Sequence, residues 1–237
     1  MITLSKFKNN YNKITDSIRE RCLRNGRNFD ELKIIVVTKS IPDEFFIELV
    51  NSGYTIVGEN RPQQIRDRKK LIDGKFSAAA LQPEWHMIGT LQTNKIKYLL
   101  PFIKLIHSVN SLKLLLEINR QSEKLGIVTE CLLEINTAEE TKTGAAENDI
   151  FNMMKFSFEN RDTLKNISIR GLMTIAPNTA NEKIINSSFS ALAELKNKMN
   201  TEFNESLNYL SMGMSNDYLL AVDNGATHLR IGSAFFE

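Results

Sequence analysis

The chain has 237 residues, 42% of them hydrophobic and 24% charged, which suits a globular fold with a sizeable buried core. Its 30 Lys and Arg against 28 Asp and Glu leave a net charge of +2, too small a bias for long-range attraction to nucleic acid or an anionic membrane. No apolar run approaches the roughly 18 residues of a membrane span and the start "MITLSKFKNN" lacks a signal-peptide core, so the expected location is the cytoplasm.

In chain order, Phe7, Tyr11, Ile14, Ile18 and Cys22 recur every three or four residues, which predicts an amphipathic helix over 4–26 with Gly26 as its stop. Residues 1–27 are then an extra N-terminal helix packed on one domain that spans 1–237. Beyond it, short β-rich runs alternate with segments of helical period. The runs "KIIVVTK" (33–39), "TIVGEN" (55–60), "EWHMIG" (84–89), "KLIHSV" (104–109), "ECLLEIN" (130–136), "SIRGLMTI" (168–175), "LNYLSMG" (207–213) and "THLRIGSAFF" (227–236) predict eight strands. The clearest helices fall at 111–125, with Asn110 and Ser111 offering N-cap oxygens and Gly126 a C-cap, and at 181–203, with Ile185, Phe189, Leu192, Leu195, Met199 and Phe203 on one face. The basic cluster "RDRKK" (66–70) reads as a solvated helix face. Eight strands alternating with helices favour an α/β fold closed as a single (β/α)8 barrel over an open doubly wound sheet.

Working residues of such barrels sit where the strands end at their C-terminal rim. In order those ends carry Thr38 and Lys39, Glu59 and Asn60, His86 and Gly89, Ser108, Asn136, Met173 and Thr174, Ser211 to Ser215, and Arg230 to Ser233. "SMGMSND" (211–217) and "RIGSA" (230–234) each combine glycine with serine after the last two strands. Glycine lets backbone approach an oxyanion, and free N–H groups and hydroxyls bind it. Either stretch alone reads as a turn with a cap. Together, in these two places, Ser215, Gly232 and Ser233 predict a phosphate site. Lys39 would face that phosphate, and a neutral amine beside an anchored phosphate suits a Schiff base with a phosphorylated aldehyde, burial at the strand end lowering its pKa in the needed direction. Cys22 and Cys131 match no zinc or redox spacing and are expected as buried thiols, and His86, His107 and His228 lack ligand spacing, so no metal is expected.

The stretches "VVTKSIP" (36–42), "VGENRPQ" (57–63), "WHMIGTLQTNKIK" (85–97), "EINTAEETKTG" (134–144), "RGLMTIAP" (170–177), "SMGMSNDYLLAV" (211–222) and "GATHLRIGSAFF" (225–236) resemble the pyridoxal 5′-phosphate homeostasis proteins. These are fold-type III barrels related to the N-terminal domain of alanine racemase. The resemblance implies that Lys39 holds pyridoxal 5′-phosphate as a Schiff base and that Ser215, Gly232 and Ser233 hold its phosphate. Arg230 is similar to the arginine facing the pyridine nitrogen, while Asn60, His86 and Met212 are implied to line the pocket, His86 alternatively being a packed strand residue. A guanidinium has no acceptor and keeps its proton, so the ring it faces stays a weak electron sink.

The family implies a carrier without catalytic residues, a cytoplasmic monomer that buffers the cofactor and delivers it to apo-enzymes. Three departures stand out: Ile41 replaces a second lysine that many members carry, Thr90 replaces a common histidine, and Glu237 follows the final strand without the usual glycine. The alternatives are a racemase-like enzyme and, more remotely, a lysine aldolase for a sugar phosphate. Alanine racemase completes its second catalytic face with a tyrosine from a partner's added β domain. The chain is expected to stop at its eighth strand without that domain, and none of its five tyrosines falls plainly at a strand's C-terminal rim.

Overall fold

A computed structural model describes residues 2–75, 82–137 and 144–237. The centre of the "EINTAEETKTG" motif, 138–143, lies outside the described residues. Strands β1 (Lys33–Val37), β2 (Ile56–Glu59), β3 (Glu84–Met87), β4 (Ile103–Val109), β5 (Thr129–Glu134), β6 (Ile167–Met173), β7 (Tyr209–Ser211) and β8 (His228–Ile231) close into one barrel in sequence order. All neighbours are parallel, and β1 pairs with β8 from Lys33↔His228 to Val36↔Ile231. That last ladder rules out the open sheet, which would leave β1 and β8 as edges.

The helices are α1 (Leu4–Arg24), α2 (Asp43–Asn51), α3 (Pro62–Lys75), α4 (Leu112–Leu125), α5 (Glu147–Glu159), α6 (Glu182–Phe203), α7 (Tyr218–Asp223) and α8 (Ser233–Phe236). Between β3 and β4 the chain uses a 3-10 stretch, Thr93–Tyr98. Of the two N-cap candidates for α4 the structure uses Ser111, whose hydroxyl accepts from the Leu114 N–H, and Gly126 caps the other end at φ 65°. Among the described residues no helix is long and apolar enough to cross a membrane.

Strand alternation separates two environments. Ile34 and Val36 join the large apolar layer between strands and helices. Ile35 points the other way, its Cγ2 2.8 Å from where a Cβ on Gly58 would sit. Inside the barrel, among the described residues, only Leu105, Leu132 and Met173 form an apolar cluster of their own. Beside them the interior is polar, with His86, His107, Ser211, His228 and Arg230 all buried. Cys22 and Cys131 are free and buried.

Three predicted features change. The run 227–236 is not one strand: β8 stops at Ile231, Gly232 turns the backbone (φ −124°, ψ −88°), and 233–236 form a helical turn. Every other strand except β4, which ends at Val109 as predicted, also ends early, β1 at Val37, because rim residues leave the ladder to build loops. The cluster "RDRKK" is not wholly a solvated face, since Arg68 is only 1% exposed. Helix α1 packs its buried stripe over the barrel's last turn, the Phe7 ring lying 5.6 Å from Phe235 and 5.4 Å from Phe236. The backbone after β8 is thereby braced from outside.

Candidate binding site at the barrel mouth

Lys39 leaves β1 on a turn that is fixed from both sides. Arg68, reaching in from α3, donates to the carbonyls of Thr38 (3.0 Å) and Ile41 (2.6 Å), and its Nε donates to Asp43 (2.9 Å). Its guanidinium lies 4.5 Å from the centre of the Phe46 ring. Glu59, at the end of β2, accepts from Arg68 and from the Thr38 hydroxyl (2.5 Å). Burial pushes the Glu59 carboxyl up, an effect that Arg68 and Thr38 offset only in part. A buried cation and anion thus hold the two carbonyls that bracket Lys39 and Ser40. The Lys39 side chain itself is exposed, which overturns the expectation of a lysine buried at the strand end. Two residues on, Ile41 is core, 5% exposed, so the position of the family's second lysine faces inward here.

The opposite side of the mouth is backbone. The Ser215 hydroxyl oxygen accepts from the N–H groups of Gly232 (3.3 Å) and Ala234 (3.2 Å). Two main-chain donors from the turn after β8 therefore converge on one oxygen, the arrangement an oxyanion needs. Gly213, with φ +90°, permits the bend before Ser215, where a Cβ would lie 2.5 Å from the Ala221 Cβ. The Met214 N–H is held by Asp217 (2.5 Å), whose carboxyl is pushed up by burial. A Cβ on Gly232 would come within 3.3 Å of the Val37 Cβ, so glycine keeps open the space between the turn and the end of β1. Ser233 is exposed at the same turn.

Arg230 lies below these groups, 4% exposed. It donates to the Ser211 hydroxyl (2.5 Å) and to the Thr174 carbonyl (2.9 Å). Burial pulls its pKa down to about 10, which leaves it charged at neutral pH. Asn60 is half-buried at the end of β2, so close to the β3 exit that a Cβ on Gly89 would sit 2.4 Å from its carbonyl oxygen.

Two predicted pocket residues are placed differently. His86 is 1% exposed and uses both ring nitrogens inside the barrel, Nδ1 toward His107 (2.9 Å) and Nε2 toward Glu84 (2.8 Å), the first residue of β3. Met212 is fully buried in the apolar layer outside the strands. Neither presents its side chain at the mouth. Ser211, expected at the rim, lies inside the barrel against His107 (2.8 Å), and neither His107 nor Arg68 was expected in the site. A charge run conceals Arg68. For His107 the available signal was a polar residue inside an otherwise apolar strand.

The family model "Alanine racemase, N-terminal domain" matches residues 54–237. A pyridoxal phosphate homeostasis protein of Aquifex aeolicus is 36% identical over 225 residues, 94% of either chain. The structure of PipY from Synechococcus elongatus PCC7942, solved with PLP bound, is 28% identical with a TM-score of 0.78, covering 93% of this chain and all 100% of that one. A protein from Bifidobacterium adolescentis, also 28% identical, superposes with a TM-score of 0.86 over 100% of this chain and 98% of its own. Matched over nearly its whole length, the chain belongs to the pyridoxal phosphate homeostasis protein family, built on the alanine racemase N-terminal domain.

Proposed function

We propose that the protein binds pyridoxal 5′-phosphate at this mouth and serves its homeostasis, holding the cofactor as a Schiff base on Lys39 and releasing it to apo-enzymes. One observation carries the reading: the Gly232 and Ala234 N–H groups converge on the Ser215 oxygen, on the rim that also bears Lys39 and lies above Arg230. The cofactor supplies an aldehyde that condenses with an amine and a ring that withdraws electrons. Ser215, Gly232 and Ser233 would receive its phosphate, with Asn60 at the wall between them and β3. Arg230 would meet the ring nitrogen with donors only, which leaves that nitrogen unprotonated and the ring a weak electron sink. His86 would act through Arg230, and Met212 would back the wall.

Carriage rather than turnover is supported by where the tyrosines lie. Tyr11 is on α1, Tyr54 precedes β2, Tyr98 is in the 3-10 stretch, Tyr209 opens β7, and Tyr218 opens α7 with its hydroxyl 3.2 Å from Ser17. None stands at the C-terminal end of a strand to exchange a proton across the cofactor. The same reading makes the protein a cytoplasmic monomer that has no nucleic-acid or membrane partner.

The test is a spectrum and an intact mass of the purified protein, before and after borohydride reduction. We expect a yellow protein whose absorption changes on reduction, with the cofactor mass fixed to Lys39, and a Lys39→Ala variant without either signal. Robust racemisation or decarboxylation of amino acids that vanishes in Lys39→Ala would overturn the carrier reading.

A further inference from the structure

A relay of hydrogen bonds crosses the barrel interior from Arg230 to Glu84. Its steps are Arg230 to Ser211 Oγ (2.5 Å), Ser211 Oγ to His107 Nδ1 (2.8 Å), His107 Nε2 to His86 Nδ1 (2.9 Å), and His86 Nε2 to Glu84 (2.8 Å). Lys33 closes the far end, donating to the same Glu84 oxygen at 2.5 Å. Arg230, Ser211, His107 and His86 are 4%, 0%, 0% and 1% exposed, so each polar atom depends on the next.

The direction of the relay follows from its far end. The Glu84 carboxylate only accepts, so His86 carries its proton on Nε2 and donates to it. The neutral His86 ring then offers Nδ1 as an acceptor, so His107 must carry its proton on Nε2 and donate it there. That leaves His107 Nδ1 as an acceptor, and Ser211, which accepts from the Arg230 guanidinium, turns its one hydroxyl hydrogen to it. Both rings are neutral and in the same tautomer. Burial lowers the proton affinity of both rings, and the His86 bond helps hold the Glu84 pKa down to about 2.

We propose that His107 and His86 are positioning residues for the cofactor: through Ser211 they fix the direction of the Arg230 guanidinium and so set the polarity at the ring nitrogen it meets. This rests on the reading that pyridoxal phosphate occupies the mouth. A relay that served stability alone would leave the bound ring unaffected, which separates the two roles.

Two measurements test it. Long-range 1H–15N correlation of the histidine rings in the cofactor-free protein is expected to find the Nε2–H tautomer at both His107 and His86; an Nδ1–H tautomer at His107 overturns the relay. In the protein loaded with pyridoxal phosphate, His107→Leu is expected to shift the absorption maximum and the pH at which the spectrum titrates. His107→Asn, whose amide oxygen replaces the Nδ1 acceptor, is expected to restore the wild-type spectrum. A His107→Leu spectrum identical to wild type overturns the positioning role, and the tautomers decide the relay should that variant fail to fold. Wild-type protein that takes up no pyridoxal phosphate would overturn the site reading and the role together, whereas coloured wild type with an unaltered variant overturns the role alone.

Discussion

Arg68 holds the turn that bears Lys39 without touching the lysine's side chain. Its charge is buried against Glu59, and the same guanidinium satisfies the carbonyls of Thr38 and Ile41. Burying two charges costs so much that such a pair adds little net stability, but losing one partner leaves the other stranded. Arg68→Gln is therefore expected to destabilise the fold by about 3–5 kcal/mol in urea unfolding, and adding Glu59→Gln to recover most of the loss. The double variant should still bind pyridoxal phosphate more weakly than wild type, because the Lys39 turn has lost both clamps. The rim positions of Lys39, Ser215, Gly232 and Ser233 were legible in the sequence because a lysine after a strand and glycine–serine turns are local features. Arg68 was not, because one arginine among "RDRKK" looks like its solvated neighbours until the helix is docked. His86 and Met212 were assigned to the pocket by the resemblance and by their nearness to the C-terminal ends of predicted strands. Where their side chains point depends on the barrel's register.

The elements that carry the site are short, and one close approach decides their spacing. Gly171 in β6 pairs with Tyr209 in β7, and a Cβ at Gly171 would sit 1.9 Å from the Tyr209 carbonyl oxygen. That neighbour is backbone, so β7 would have to move, and β7 is only three residues long and ends in Ser211. Gly171→Ala is expected to cost about 1–3 kcal/mol or more. Gly74 is the internal control. It lies in α3 with nothing within 4 Å of where an added methyl would sit, and Gly74→Ala is expected to stabilise by roughly 0.5–1 kcal/mol. Parallel thermal or urea melts of both variants check the pair, and equal melting for the two would refute the close-approach account. All eight strands were legible as β-rich runs, since each keeps apolar, often β-branched residues against the helices even where its inward face is polar. Their ends were less so: in "RIGSAFF" the apolar pattern continues through Gly232, but the backbone turns there and the last residues coil.

At the scale of the molecule, closure of eight βα units was legible from their number, and the polar interior was not. A single histidine inside a short, mostly apolar run does not say which face of the strand points inward, so three histidines on three strands gave no sign of meeting. In the barrel the rings of His86, His107 and His228 lie 5.1–6.1 Å apart, with Lys33, Lys104 and Arg230 as nearby cations and Glu84 as the facing anion. Burial and the neighbouring His86 push the His228 pKa down to about 3, and burial lowers His86 and His107 as well. The sign follows from proton counts. Below the unfolded-chain value of about 6.5 the unfolded state binds protons that the folded barrel refuses, so stability falls as pH is lowered. For His228 that loss accumulates from about 6.5 down to about 3, at up to about 1.4 kcal/mol per pH unit. Glu84 acts in a lower window: its stabilisation is complete above about 4.3 and is lost only as pH falls toward its folded pKa of about 2. Urea unfolding from about pH 7 down to about pH 4.5 is therefore expected to show a steep loss of stability driven by the buried rings. His228→Leu should flatten that slope by nearly one proton's worth, because Leu has no charged form for the unfolded chain to favour. A slope unchanged in His228→Leu would mean that acid enters the barrel elsewhere and that the three rings do not set its limit.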